Sequence, residues 1–299
     1  MATKQRLAVL GGDARQIAMA KRLGESGYQA FVWGLGDCCG AVGTAIVCDS
    51  WEDAASEADT VLLPLPASVD GVRVNCPLGG ADTSLRLSAL FERMQGKTLY
   101  GGRFTEALYE LAEKHGVTLV DYFRSESLQQ RNAVPTAEGA IAIAMQELPI
   151  TMDGLVCAVI GYGRIGKLLA SKLKALGARV TVYARRCEVL AEAEVNGHTV
   201  VLFDKKDNYT ALKSLPDACR AVFNTVPTWL FTRGVLETVP KNCVLIDLAS
   251  APGGIDIGAA HELGLRTVWG TALPGKCTPE SAGVILAQTV MELLEIRSV

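Results

Sequence analysis

The sequence predicts an α/β protein of two domains, each built on a parallel sheet, and three observations support this fold class. Short apolar runs alternate with helical patterns along the chain, which is typical of successive βαβ units. The alternation forms two series, with a helical segment between them. A chain of 299 residues is also long enough to bury two hydrophobic cores.

The first series predicts a flavodoxin-like domain over residues 1–150. Its strands are expected at five apolar runs, Leu7–Leu10, Ala30–Trp33, Thr60–Leu65, Thr98–Gly101 and Val117–Asp121. Its helices are expected where apolar residues recur at helical spacing, over Ala14–Leu23, Ser84–Met94 and Thr105–His115. Because strands and helices alternate, the sheet should be largely parallel.

The helical segment between the two series is the next element. Pro135–Leu148 predicts a helix with proline in its first turn, where the missing N–H breaks no intrahelical hydrogen bond. We place the domain boundary directly after this helix, near residues 148–153.

The second series predicts a Rossmann dinucleotide-binding domain over residues 151–278. Its six strands are expected at Leu155–Ile160, Arg179–Tyr183, Thr199–Leu202, Ala221–Asn224, Val244–Leu248 and Thr267–Trp269. A last helix is predicted from Pro279 to about Ile296. We expect the C-terminal segment, residues 279–299, to complete the N-terminal domain.

Composition and charge exclude several function classes. The formal net charge is −3, whereas nucleic-acid-binding domains usually carry a basic excess. No apolar run reaches the ~18 residues that span a bilayer, and the first residues do not predict a secretory signal. The nine cysteines form no C-x-x-C pair, so we expect reduced thiols, no metal site and a cytoplasmic location.

The stretch VIGYGRIGKLLA (Val159–Ala170) carries a G-x-G-x-x-G pattern between a predicted strand and a predicted helix. In this context the pattern indicates a dinucleotide-binding loop, with the pyrophosphate at the helix N-terminus. Gly161 allows the tight turn, Gly163 lets the backbone approach a pyrophosphate, and Gly166 permits close packing of helix and strand. The alternative is a tight turn in a fold that binds no nucleotide. The residues expected to contact the cofactor here are Gly161, Gly163, Arg164, Ile165 and Gly166.

The end of the next strand indicates which dinucleotide binds. An acidic residue at that position accepts the ribose hydroxyl of NAD, but here Ala184 is followed by Arg185 and Arg186. Guanidinium groups bind phosphate oxygens in a bidentate way. The sequence therefore favours NADP(H) and leaves NAD(H) open. The alternative is that both arginines are simply solvated at the strand end.

Two further stretches end strands of the second series, FNTVP (Phe223–Pro227) and IDLASAPGG (Ile246–Gly254). Ligands of open parallel sheets bind beyond the carboxyl ends of the strands. We expect Asn224, Thr225 and Ser250 to hydrogen-bond the ribose or the carboxamide; the alternative for Asn224 is a capping or turn residue. The cofactor-binding residues predicted in these stretches are Asn224, Thr225, Val226, Pro227, Asp247, Leu248 and Ala249.

Taken together, these motifs resemble the A subunits of bacterial dipicolinate synthase. Six stretches follow the order of that family over nearly the whole chain, and each is weak alone while the set is specific. Lys276 and Cys277 depart from the apolar residues expected at their positions, and neither is assigned a catalytic role. The stretches are GGDARQ (Gly11–Gln16), PTAEGAI (Pro135–Ile141), GYGRIG, NTVP, DLASAPGG and LPGKCTPESAG (Leu273–Gly283).

The resemblance implies an endospore enzyme that oxidises dihydrodipicolinate, derived from the dihydrodipicolinate synthase product, to pyridine-2,6-dicarboxylate with NADP. It also implies a partner, the flavoprotein-like B subunit of dipicolinate synthase, and a location in the cytoplasm of the mother cell. We further expect a homo-oligomer that acts on a small dicarboxylate and has no nucleic-acid or membrane partner.

Candidate catalytic residues follow from the two negative charges of such a substrate. GGDAR follows a strand and starts a helix, which makes it an anion site; Arg15 is expected to bind one carboxylate, and Asp13 to cap the helix or accept a proton. Thr136 and Glu138 would begin the bridging helix beside a cleft between the domains, and Ser250 completes the set. The simpler alternatives are an N-cap for Asp13, a surface partner for Arg15 and a first-turn carboxylate for Glu138.

Two other functions stay open. A NADP-dependent 2-hydroxyacid dehydrogenase shares the two-domain layout, but oxidation of an alcohol requires a base, most often histidine. His115, His198 and His261 are the only histidines, and none adjoins the LPGK segment where that base is expected. The second alternative is a non-catalytic NADP-binding scaffold or sensor protein, which turnover of a dihydropyridine would exclude.

Overall fold

The computed structural model describes residues 5–38, 40–80, 83–204 and 209–297. Within these ranges the α/β class is confirmed, because two six-stranded sheets alternate with helices along the chain. The chain divides into two compact units, one formed by Met1–Asn132 with Pro274–Val299 and the other by Ala133–Leu273.

The first unit contains a parallel sheet with the strand order β3-β2-β1-β4-β5-β6. Alternate residues of its central strand enter different cores, Ala8 and Leu10 on one face and Leu7 and Val9 on the other, so both faces are buried. The strands are β1 (Arg6–Leu10), β2 (Gln29–Trp33), β3 (Ile46–Val47), β4 (Thr60–Leu62), β5 (Thr98–Gly101) and β6 (Thr118–Asp121).

The flavodoxin-like topology expected for this unit is confirmed when the short edge strand β3 is left out of the strand order. Strand β3 is only two residues long and both are exposed. Without it, the remaining strands follow the order 2-1-3-4-5 of flavodoxin-like sheets. The helices of this part of the chain are α1 (Ala14–Glu25), α2 (Trp51–Glu57), α3 (Leu87–Arg93) and α4 (Glu106–Lys114).

The second unit has the Rossmann strand order, as predicted. Its sheet runs β12-β11-β10-β7-β8-β9, which is 6-5-4-1-2-3 in the numbering of the unit itself. The strands are β7 (Val156–Ile160), β8 (Arg179–Ala184), β9 (Thr199–Leu202), β10 (Ala221–Asn224), β11 (Val244–Asp247) and β12 (Arg266–Trp269). The helices between them are α6 (Arg164–Ala175), α7 (Cys187–Val195), α8 (Arg233–Leu236) and α9 (Ile257–Glu262).

The bridging helix differs from the prediction. Helix α5 spans Glu126–Glu147, so Pro135 lies in its interior and not in its first turn. The division between the units falls within this helix, at Asn132 and Ala133, and not near residues 148–153. The reason is that the second half of α5 contributes apolar side chains to a core of the second unit, namely Ala137, Ala140, Ile141 and Ala144.

The C-terminal segment belongs to the first unit from Pro274 onward. It contains α11 (Pro279–Arg297) and all of α10 (Leu273–Cys277) except Leu273, which belongs to the second unit. The last two residues, Ser298 and Val299, lie outside the described ranges. Helix α11 packs closely on α1, since a Cβ at Gly283 would come within 3.0 Å of the backbone nitrogen of Met19. Leu286, Ala287 and Val290 of α11 share a core with Met19 and other α1 residues.

Some structural features are absent from the described part of the chain. No helix there has the length and hydropathy needed to cross a membrane. No group of histidine, cysteine and carboxylate side chains in the same ranges is arranged to hold a metal ion. The eight cysteines that fall within them are free thiols.

Candidate functional site

The glycine-rich loop connects β7 to α6 in the second unit. Gly161 has a φ of +91°, which favours glycine, and its N–H donates to the carbonyl of Tyr183 at 2.8 Å. A Cβ at Gly166 would overlap the carbonyl oxygen of Gly161, so only glycine allows this close packing of helix and loop. Gly163 is different, because a Cβ there would meet nothing within 4 Å. The space in front of Gly163 is therefore open, as the approach of a pyrophosphate requires.

A cleft of about 500 Å³ opens beside this loop at the carboxyl ends of the strands. The loop, the end of β8 and the connection after β10 form its walls, and no side chain caps α6 at Gly163, the end at which a helix attracts anions. The predicted cofactor residues that line it are Gly161, Gly163, Ala184, Arg185, Arg186, Thr225, Val226 and Pro227.

Sequence reasoning missed three residues that line the cleft, Tyr162, Val189 and Phe203. Phe203 directly follows β9, so the rule that ligands lie beyond strand ends was a sufficient signal for it. Val189 lies in α7, a helix that no predicted element covers, and Tyr162 occupies a variable position of the glycine pattern. Together they add apolar and aromatic surface to a cleft whose other walls include glycine and arginine.

Arg185 and Arg186 stand at the mouth of the cleft. Both are exposed, they follow β8, and Arg186 is the N-cap residue of α7. Ala184 before them is buried. No carboxylate therefore occupies the end of β8, where a dinucleotide site selective for NAD has one.

Asn224 and Asp247 end two neighbouring strands but do not line the cleft. Both are buried, and the Asn224 amide donates from Nδ2 to Oδ1 of Asp247 at 2.8 Å. The same amide also bonds both the carbonyl and the N–H of Val226. Through these bonds both residues hold the loops after β10 and β11, and the direct cofactor contact expected for them stays a prediction.

The Asp247 carboxylate organises the DLASAPGG loop. Its Oδ1 accepts from the N–H of Ala249 at 3.1 Å, and its Oδ2 accepts from the N–H groups of Gly254 at 2.7 Å and Ile255 at 3.2 Å. The indole of Trp269 donates to the carbonyl of Ala249 at 3.1 Å. The loop is therefore fixed from both sides.

Several other predicted residues also lie outside the lining of the cleft. Gly166 packs against the loop from the side of the helix. Leu248 and Ala249 are buried, whereas Ser250 is exposed. The predicted residues that do not line the cleft are Arg164, Ile165, Gly166, Leu248, Ala249 and Ser250.

In the first unit, Asp13 and Arg15 form one ion-pair cluster at the start of α1. Asp13 is the N-cap and accepts from the N–H of Arg15 at 3.0 Å, while Gln16 completes a capping box. The Arg15 guanidinium, only 7 % exposed, donates from Nε and Nη2 to the Asp13 carboxylate at 2.9 and 2.8 Å. Nη2 also donates to the carbonyl of Leu65. Arg15 is therefore not the solvated surface residue of the simpler alternative.

The two motifs GGDARQ and LPGKCTPESAG meet at this cluster. A Cβ at Gly275 would lie 2.9 Å from Nε of Arg15 and 3.3 Å from Oδ2 of Asp13. Glycine at position 275 thus keeps the face of the ion pair uncovered. Two stretches that lie far apart in the sequence form one polar site.

Thr136 and Glu138 belong to the second unit. They lie in the interior of α5, so the expectation that they begin a helix with unpaired N–H groups is wrong. Thr136 is buried, and the Glu138 carboxylate accepts from the Lys172 ammonium at 2.8 Å. That ion pair joins α5 to α6.

Comparisons with known proteins identify the family of the chain. Residues 6–123 match the family described as the N-terminal domain of the dipicolinate synthase A subunit. The chain is 30 % identical over 294 residues to the A subunit of dipicolinate synthase from Bacillus subtilis (strain 168), and the match covers 98 % of this chain and 97 % of that protein.

Two solved structures extend the comparison. The crystal structure of the dipicolinate synthase A subunit from Bacillus halodurans has a TM-score of 0.87 and 29 % identity, with coverage of 98 % of this chain and 99 % of that one. A transhydrogenase from Sinorhizobium meliloti has a TM-score of 0.70 over 97 % of this chain and 94 % of that one. Its identity is 16 %, so it shows a shared fold alone.

Proposed function

We propose, from the premise that the chain belongs to the family of dipicolinate synthase A subunits, that it oxidises dihydrodipicolinate to pyridine-2,6-dicarboxylate with NADP. The observation that carries this proposal is the cleft of the second unit, where an open glycine loop and two exposed arginines lie together. The arrangement fits the pyrophosphate and the ribose phosphate of NADP.

The residues of the cleft fit a nicotinamide dinucleotide. The loop at Gly163 would hold the pyrophosphate, and Arg185 with Arg186 would bind the ribose phosphate, while Val189 and Phe203 would provide apolar surface for the adenine. A bound nicotinamide supplies the hydride acceptor of the reaction. Asn224 and Asp247 act here by holding the loop that presents Thr225, Val226 and Pro227 to the cofactor.

The expected preference for NADP over NAD can be tested by removing Arg185 and Arg186. We expect the variant with Arg185→Ala and Arg186→Ala to bind NADPH about tenfold more weakly or worse, because each lost bond to a charged phosphate is worth about 1.5–3 kcal/mol. NADH, which lacks that phosphate, should bind nearly as before. Fluorescence titration measures both affinities. Arg179→Ala, at the other end of β8, is the control; equal losses for NADPH and NADH in the double variant would refute the phosphate assignment.

The Asp13–Arg15 cluster is proposed to bind the substrate. Oxidation of a dihydropyridine removes a hydride from one ring carbon and a proton from its neighbour, so orientation of the ring is the main task of the protein. The Asp13 carboxylate holds the guanidinium through Nε and Nη2. We assign Nη1 of Arg15 to one substrate carboxylate, and Asp13 is the candidate proton acceptor.

Variants of Arg15 test this assignment. Lysine keeps the charge but loses the planar fork, so Arg15→Lys should raise KM for the dicarboxylate by about tenfold and leave NADPH affinity unchanged. Arg15→Ala should raise KM further. Arg22→Lys, on the same helix but in an exposed ion pair with Glu25, is the matched control. Unchanged kinetics in both Arg15 variants would require a different site for the carboxylate.

The proposed activity can be measured directly. The purified chain is mixed with the dihydrodipicolinate synthase product and NADP⁺, with and without the B subunit of a dipicolinate synthase, and the aromatic absorbance and NADPH are followed. Formation of both products supports the proposal, and a dependence on the added protein supports the proposed partnership with the B subunit. NADPH binding without turnover under either condition would favour the scaffold or sensor function.

A 2-hydroxyacid dehydrogenase remains the alternative enzyme. All three histidines belong to the described residues, and none of them lines the cleft. The base that alcohol oxidation needs is therefore not supplied by histidine at this cleft. We also propose a homo-oligomer in the cytoplasm of the sporulating mother cell, an assignment that rests on the family.

A further inference from the structure

Tyr162, the residue between the first two glycines of the loop, is anchored from outside the loop. It is 5 % exposed, and its hydroxyl accepts a hydrogen bond from Nδ2 of Asn196 at 3.1 Å. Asn196 directly follows α7 as its C-cap residue. The Asn196 side chain therefore connects the glycine loop to the C-terminal end of α7.

The backbone of Asn196 makes a second connection. Its carbonyl oxygen accepts from the ammonium of Lys174, on α6, at 2.9 Å. Lys167, also on α6, pairs with Glu192 of α7 at 2.7 Å and lies 5.8 Å from the centre of the Tyr162 ring. Helices α6 and α7 and the glycine loop thus meet at one polar junction, which contains Tyr162, Lys167, Lys174, Glu192 and Asn196.

Helix α7 depends on this junction for its position. It has nine residues, and only Leu190 and Ala193 are buried. Helices this short are not stable by themselves, so α7 relies on the packing of Leu190, Ala193 and the partly buried Val189 together with the polar contacts of the junction. Its first residue follows Arg186, so any shift of α7 moves the two arginines relative to the glycine loop.

We propose that Asn196 is a positioning residue. It sets the distance between the loop at Gly163, where the pyrophosphate would bind, and Arg185 and Arg186, where the ribose phosphate would bind. The inference rests on the proposed NADP site and adds a determinant of specificity outside the cleft. Asn196 contacts neither of these two phosphate-binding positions. It fixes one end of the helix whose other end carries the arginines, and the same amide holds the loop through Tyr162.

His198 is a titratable group at the same junction. Its buried ring meets the Tyr162 ring edge-on at 6.0 Å, and its Nδ1 has no hydrogen-bond partner among the described residues. Burial, and then the nearby Lys174 ammonium, lower the pKa of His198 below its ordinary 6.5. The charged groups of the junction that contains the two rings are Lys167, Lys174 and Glu192.

The sign of the pH effect follows from this lowered pKa. Between the folded and the unfolded pKa, the unfolded chain binds more protons, so stability rises with pH through that window. The contribution of neutral His198 is complete above about pH 6.5 and is lost as pH falls through the lower, folded pKa. Cofactor affinity should follow the same direction, because protonation places a second cation beside Lys174.

The test compares Tyr162→Phe and Asn196→Ala with the wild-type chain. Tyr162→Phe keeps the ring and removes only the hydroxyl, so the fold is retained. Each variant should raise the Kd of NADPH by about tenfold, the value of one such bond, and the Kd of NADH by about threefold or less. Asn242→Ala is the control, because the Asn242 carbonyl also accepts from a cation, Arg220, outside the junction.

The results separate this inference from the proposed function. A wild-type chain that binds neither dinucleotide refutes the NADP site and the inference with it. Normal wild-type binding with unchanged Kd values in Asn196→Ala or in Tyr162→Phe, or an equal loss for NADPH and NADH in either variant, refutes the positioning role alone. In His198→Gln the fall in NADPH affinity below pH 6.5 should flatten; an unaltered pH profile would exclude His198 as its source.

Discussion

Gly163→Val should abolish dinucleotide binding and leave the fold intact. The φ of −86° at Gly163 is accessible to any residue, and a Cβ there meets no atom within 4 Å. The backbone at this position therefore accepts a side chain, and its Cβ meets open space. The branched side chain of valine would instead fill the space that the pyrophosphate needs, so we expect NADPH affinity to fall by a factor of about 100 or more, or about 2.7 kcal/mol. Fluorescence titration with NADPH and a thermal melt provide the two measurements.

Two further glycine variants sharpen the interpretation of this result. Gly234→Val adds the same side chain in α8, where there is also no atom within 4 Å, and should affect neither binding nor melting. Gly166→Val should lower both, because its Cβ overlaps the Gly161 carbonyl oxygen. Normal NADPH affinity in a folded Gly163→Val variant would mean that the dinucleotide binds elsewhere.

The glycine loop was predictable because its signal is local. A strand, a G-x-G-x-x-G pattern and a helix follow one another within a single short stretch, and each has a conformational requirement that the sequence reveals. The same is true of Asp13, whose N-cap role depends on residues two and three positions later. Features of this kind need no knowledge of the tertiary structure.

The roles of Asn224 and Asp247 were not predictable in this way. The sequence places both at strand ends, but their side chains contact each other only because β10 and β11 pair in the register that aligns Asn224 with Asp247. Pro135 gives the second example. A proline inside a helix costs about 3 kcal/mol, and helix α5 tolerates it because the residues after it, such as Ala137 and Ile141, are buried in a core. Both outcomes depend on contacts that are distant in the sequence.

Asp247→Ala should strongly destabilise the second unit without changing a residue that lines the cleft. The carboxylate is 2 % exposed and accepts four hydrogen bonds, one from Asn224 and three from backbone N–H groups. A buried donor left without a partner costs about 1–3 kcal/mol. Because water can reach part of the loop after the change, we expect the free energy of unfolding to fall by about 3–5 kcal/mol, measured by urea denaturation.

Asp247→Asn keeps the shape of the side chain and changes its hydrogen bonding. We expect it to lose stability as well, so the comparison with Asp247→Ala separates the two effects. Oδ1 and Oδ2 each accept from two donors, so an amide NH₂ in either place would face donors and leave them unpaired. Asp256→Ala is the matched control, since that carboxylate caps α9 with one bond to Ala259 and should cost only about 0.5–2 kcal/mol. If Asp247→Asn were as stable as the wild-type chain, the four bonds would not hold the loop.

Asp247→Ala should also weaken NADPH binding. Without the Asp247 carboxylate, Asn224 loses the partner that fixes its amide, and that amide holds Val226 beside the cleft. NADPH affinity should therefore fall along with stability.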